Sequence, residues 1–254
     1  MNELIGIGII IAIVALLMWV YKGIMTRHTK IKLGIIQVLD DGAVVESMNS
    51  DIKPSSELPF NGSILASFFA SYLVMRESGV GANSHGLLST YLFKWETKGI
   101  IKTELITDAE VHLTFDDTLL PTEAVELELY EILKSNDMFG DAGIDYDLLH
   151  DWSKKMLALG EAELLETGDV AFDQKDRIRF TRQGYDKSLG HGSFEKYFRD
   201  ISFSTFCEKD YQRQEQGLSF VLLLELTEEI EEYVNSNQNV PEVLQIANRI
   251  WRVL

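Results

Sequence analysis

The chain has 254 residues, with 40 Asp and Glu against 23 Lys and Arg, for a formal net charge of -17. A hydrophobic content of 46% is enough to bury a core, which excludes a disordered acidic polymer, and the acidity opposes nonspecific contact with nucleic acid. A single cysteine, Cys207, excludes an intramolecular disulfide framework.

From Leu4 to Tyr21 the chain reads LIGIGIIIAIVALLMWVY, uncharged and apolar, with Glu3 before it and Lys22, Arg27, Lys30 and Lys32 after it. A helix of this length at about 1.5 Å per residue reaches roughly 27 Å, close to the thickness of a hydrocarbon core. Basic flanks stay cytoplasmic, so residues 4–21 are predicted to be a single transmembrane helix with the N-terminus outside and the body at the inner face of the cell membrane. A cleaved signal fits less well, because no basic residue precedes the run and no small-x-small site follows it. Gly8 and Ala12 form a small-xxx-small step and are the candidate helix–helix contact in the membrane; small residues facing lipid are the plainer account.

Residues 22–59 read as a linker with a short hairpin, since the apolar stretches 33–39 and 43–45 flank Asp40-Asp41-Gly42, a turn signal. Residues 60–118 follow as a first unit. Ile64, Leu65, Phe68, Phe69, Tyr72 and Leu73 recur with helical period. After a turn at Gly79-Val-Gly81, Asn83 or Ser84 caps a second helix with Leu87, Leu88, Tyr91, Leu92 and Trp95 on one face and Gly99 at its C-terminus. Ile100–Ile106 and Val111–Phe115 then read as strands, giving the order helix, helix, hairpin of a winged helix.

Residues 119–190 repeat that order. Pro121 opens a helix through Val125, Leu127, Leu129, Ile132 and Leu133, and 136–143 is a turn-rich break. A second helix carries Leu148, Leu149, Trp152, Met156 and Leu159 and is expected to close near Gly160. Leu164-Leu165 and Arg177–Phe180 flank a polar tip over 169–176, making a second wing. Residues 191–254 read as a C-terminal helical segment, its last helix opened by Asn239 and Pro241 and carrying Val243, Leu244, Ala247, Ile250 and Trp251. The fold class expected is thus mainly α with short β-hairpins: a single N-terminal transmembrane helix, two winged-helix-like units and a C-terminal helical segment.

Two stretches carry a resemblance. Phe180-Thr-Arg-Gln-Gly184 followed by Gly192-Ser-Phe-Glu-Lys-Tyr-Phe-Arg-Asp-Ile-Ser202 is similar to the cytoplasmic region of bacterial predicted membrane proteins that carry an extracellular domain of unknown function, where a related stretch follows paired winged-helix-like units. The resemblance covers roughly residues 60–235. The chain departs from the pattern in having no extracellular domain before the expected anchor and no membrane segment after the body. The resemblance implies no activity and no catalytic residues.

Signals for chemistry are weak. Gly81 to Gly86 has phosphate-loop glycine spacing, but Leu87 and Leu88 stand where Lys and Ser or Thr are required. Ser193-Phe-Glu-Lys196 matches Ser-x-x-Lys without its companion elements. The histidines, His28, His85, His112, His150 and His191, contain no pair at i, i+4, and Asp137, Asp141, Asp145, Asp147 and Asp151 lack the order of a calcium loop. Carboxylates beside Cys207 disfavour a thiolate. No catalytic residue, cofactor or metal is therefore expected. The candidate partner contact is the second wing, Lys175, Arg177, Arg179 and Arg182, interrupted by Asp173 and Asp176. The function expected is a membrane-anchored, non-enzymatic protein-interaction module or scaffold whose partner is a protein, another membrane protein included. A membrane-tethered winged-helix transcription regulator is the alternative, disfavoured because the body lacks basic charge and because Asp145, Asp147 and Asp151 occupy the start of the second recognition helix.

Overall fold

The computed structural model describes residues 35–37, 44–46, 52–77, 84–107, 110–135, 138–139, 146–200 and 211–253. The described chain is mainly helical. Strands β1 (Ile35–Gln37) and β2 (Val44–Glu46) pair antiparallel on either side of the Asp-Gly turn signal. A 3-10 turn at Pro59–Gly62 leads into α1 (Ile64–Glu77), followed by α2 (Ser84–Thr97), β3 (Ile101–Thr107) and β4 (Glu110–Phe115). Then come α3 (Ala124–Lys134), β5 (Met138–Phe139), α4 (Tyr146–Glu166), β6 (Val170–Phe172) and β7 (Ile178–Phe180). The chain closes with α5 (Arg182–Asp200), α6 (Tyr211–Leu223), α7 (Glu228–Ser236) and α8 (Glu242–Val253).

Local chemistry sets several boundaries. Gly99 takes φ 73, which lets its N–H reach the Glu96 carbonyl at 3.0 Å and the Ile100 N–H reach that of Trp95 at 2.9 Å, closing α2 as its position suggested. β3 and β4 pair antiparallel with Ile101 opposite Phe115. β5, inside the stretch expected to be only a turn, adds a third strand along β4. α4 does not close at Gly160. It runs on to Glu166, so Leu164 and Leu165 lie in its last turn and the second hairpin starts later, at Val170. Gly160 has another role: a Cβ there would lie 2.3 Å from the Leu65 carbonyl, so glycine is what lets α4 and α1 touch backbone to backbone. Gly86 does the same between α2 and α6, where a Cβ would come 2.6 Å from the Leu223 carbonyl.

Packing ignores the expected border at residue 118. α1 packs chiefly on α4 and α2 chiefly on α6, with α8 against α2 as well. The larger core surrounds α2, nine of whose 14 residues are buried, and gathers Leu113, Leu129, Trp152, Phe198, Leu222 and Ile250 from six other elements. A second core lies between α1, the 3-10 turn, the end of α4 and the β6–β7 hairpin, with Phe60, Phe69, Leu73, Leu164, Phe180 and Tyr185. α1 is the wall between the two, Phe68 facing the first and Phe69 the second. α5 runs unbroken across residue 190, the expected border of the second unit.

One expectation is overturned. Among the described residues no helix is long and apolar enough to cross a membrane, and residues 4–21, on which the anchor was read, lie outside the described residues, as do Gly8 and Ala12. The longest described helix, α4, has 21 residues but carries Asp151, Lys154, Lys155, Glu161, Glu163 and Glu166. The single-pass architecture and the inner-membrane placement derived from it are thus unsupported; what stands is the mainly helical body with short hairpins.

Candidate functional site

The second wing is the β6–β7 hairpin, in which Val170 pairs with Phe180 and Phe172 with Ile178. Its turn is built on Asp173. The Asp173 N–H donates to the Arg177 carbonyl at 2.8 Å, and Asp176 sits at φ 53 to close the bend. One carboxylate oxygen of Asp173 accepts the backbone N–H groups of Lys175 (2.8 Å) and Arg177 (3.0 Å). The other accepts Nε of Arg177 at 2.9 Å and lies 3.6 Å from Nε of Arg179. These donors, first the backbone N–H of Arg177 and then its guanidinium, hold the Asp173 carboxyl well below the usual carboxylate range.

The four predicted wing cations thus fall into two groups. Arg177 and Arg179 converge on Asp173, and Arg179 is buried. Lys175 is exposed at the tip, and Arg182, also exposed, is the first residue of α5 with its guanidinium 5.9 Å from the Tyr185 ring centre. Sequence reasoning missed Arg76, which reaches across from α1 to donate to the Ile178 carbonyl at 2.9 Å.

The base of the hairpin is tied to α5 by a buried carboxylate. Asp169, 2% exposed, accepts Thr167 Oγ1 at 2.7 Å, Gln183 Nε2 at 2.8 Å and Lys187 Nζ at 2.8 Å. Thr181 Oγ1 donates to the Gly168 carbonyl and accepts the Gly184 N–H at 3.2 Å, capping α5. A Cβ at Gly184 would lie 1.8 Å from the Asp169 carbonyl, so only glycine fits. The Thr-x-x-Gly step at 181–184 is therefore a joint between wing and helix.

A second polar site lies at the C-terminal corner. Gln245, Asn248, Arg249 and Arg252 recur at helical spacing along one side of α8, while Val243, Leu244, Ala247 and Ile250 on the other side enter the core. The polar side borders a cleft of about 370 Å³ closed by Val234 at the end of α7 and by Asn237, Gln238 and Val240 in the turn after it. Arg249 is held in place from behind: its Nε donates to Thr103 Oγ1 at 2.9 Å, its Nη2 to Glu96, and Thr103 also donates to Glu96. This ion pair joins α2, β3 and α8. The sequence signal was available in the spacing of 245, 248, 249 and 252, but the apolar face of the same helix was read instead.

Other motifs resolve into structure. Ser193 Oγ donates to the Leu189 carbonyl at 3.2 Å and Lys196 Nζ to that of Ile52 at 2.9 Å, so the Ser-x-x-Lys pair serves separate backbone contacts. Gly86 lies inside α2, not in a phosphate loop. Among the described residues no three His, Cys, Asp or Glu side chains group as metal ligands, while His28, Asp137, Asp141, Asp145 and Cys207 lie outside them. The buried Glu126 carboxylate accepts Trp95 Nε1 at 3.1 Å and Lys94 Nζ at 3.2 Å, and burial, then Glu126, pushes the Tyr91 hydroxyl up beyond its ordinary range. Comparison of the chain with family models, with curated proteins and with solved structures found no match in any of the three.

Proposed function

We propose that the chain is a non-enzymatic protein-interaction module whose β6–β7 hairpin and α5 start contact carboxylates on a partner protein. The observation that carries this reading is the arrangement around Asp173. Its single carboxylate bonds Arg177 and lies 3.6 Å from the buried Arg179, which balances one of these two charges, and Lys175 and Arg182 are exposed on either side. Two such cations match a contact with protein side chains and fall short of the roughly six to ten phosphate contacts behind strong DNA binding. The burial of α2 adds support, because a helix with Gly86 to Phe93 enclosed by protein has no reading face to place in a groove.

The order of helices and hairpins keeps sequence-reading DNA binding as the second reading. A photo-crosslinking side chain placed at Lys175 in the full-length chain in cells separates the two. A discrete protein adduct that disappears in Arg182→Glu is expected; a nucleic-acid adduct would overturn the proposal. In vitro, affinity for duplex DNA at physiological salt is expected to be weaker than about 10⁻⁴ M, the weak end of nonspecific binders.

A further inference from the structure

The cleft between α7 and α8 has a composition at odds with the rest of the chain. Among the described residues, none of the side chains that line it is a carboxylate, although the chain holds 40 of them, and two are arginines. Asn248, only 8% exposed, borders the cleft and makes no side-chain hydrogen bond among the described residues. Its amide atoms are not enclosed but open on the cleft, where they can donate to and accept from a ligand. Arg252 is exposed at the same wall with no partner among the described residues, and Arg249 retains donors beyond the two engaged by Thr103 and Glu96.

We propose that this cleft binds a ligand through a single carboxylate set against Arg252 and Arg249, with the Asn248 amide pairing the polar group beside it. Charge decides the class. Glu96 offsets much of Arg249, leaving about one positive charge, which suits a monoanion better than a phosphate carrying about -1.5 to -2. Planar guanidinium groups match the two oxygens of a carboxylate. Asn248, Asn237 and Gln245 offer amides that both donate and accept, so the ligand carries an N–H or carbonyl next to its acid, as an acylated amino acid or the C-terminus of a peptide does. Val234 and Val240 supply an apolar wall for its side chain. This inference is independent of the hairpin.

The test is calorimetric titration of the full-length chain with N-acetylglycine, N-acetylglycinamide, inorganic phosphate, and one short peptide with either a free or an amidated C-terminus. The acids are expected to bind and their amides not. Arg252→Gln and Asn248→Ala are each expected to weaken binding by about tenfold or more, the worth of a charge-assisted or buried hydrogen bond. Arg252→Gln, at an exposed site, should leave the thermal transition in place, so its loss of binding is not unfolding. Tighter binding of the free small acid assigns the ligand to small molecules, and of the free-ended peptide to chain termini; both support the proposal. Equal binding of acid and amide, phosphate tighter than every acid, no binding to a folded chain, or no effect of Arg252→Gln would each overturn it.

Discussion

His191 shows how one side chain couples the fold to pH. Its ring packs 5.6 Å from that of Phe60, and its Nε2 is buried without a hydrogen-bond partner. Burial pushes its pKa down from 6.5 to about 4. Between those values the unfolded chain holds a proton that the folded chain refuses, so stability falls as the pH falls from 6.5 toward 4. From pH 7 to pH 5 the loss from this residue is roughly 2 kcal/mol, and His191→Leu is expected to remove that part of the slope in urea titrations at the two pH values. Equal slopes in both proteins would show that the ring titrates normally. Phe60 itself is held at φ 46 and Asn61 at φ 55, uncommon for side chains with a Cβ, and the burial of Phe60 in the second core offsets the cost.

Between elements, backbone contacts through glycine decide the architecture. At Gly160 a methyl group would meet both the Leu65 carbonyl and Cβ of Phe69. Gly160→Ala must move α4 away from α1, and a loss of about 2 kcal/mol is expected in chemical unfolding, as for other overpacked cores. Gly168 is the control: nothing lies within 4 Å of a Cβ there, so its cost is confined to its φ of +71. Gly184→Ala, pressed against the Asp169 carbonyl, should loosen the joint between wing and α5, seen as faster amide exchange over 169–185. If exchange there is unchanged, the Asp169 knot does not depend on the close approach.

At the scale of the molecule, the two cores share α1 and α4, so they are expected to unfold as one cooperative body. Leu73→Ala in the second core and Leu92→Ala in the first are each expected to cost roughly 2–5 kcal/mol and to lower one common thermal transition. A fragment of residues 60–118 is expected to show no cooperative unfolding, because the main partners of α1 and α2 are α4 and α6, both outside it. A sharp transition in that fragment would restore it as an independent unit.

Patterns within about one turn of chain were legible in the sequence: the helical faces of 64–73 and 87–95, the Gly99 cap, and the strands read at 100–106 and 111–115, which the structure places at 101–107 and 110–115. Such features depend on neighbours three or four residues apart, or on the backbone freedom of a single residue, and composition records them directly. What only the tertiary structure decided was which faces meet. Leu87 and Leu92 mark an apolar stripe but not its partner α6, and Gly160 reads as a helix end until Leu65 is placed against it. Asp173 looked like an interruption of a basic row, and became its organiser once the turn brought Arg177 and Arg179 back to it. The α7–α8 cleft was illegible for the same reason: Asn248 and Arg252 are ordinary polar residues of an amphipathic helix, and only the fold sets them around a shared space with the chain at 234–240. Hydrophobic burial is non-directional, so the sequence specifies that a face is buried while shape and close approach choose what buries it.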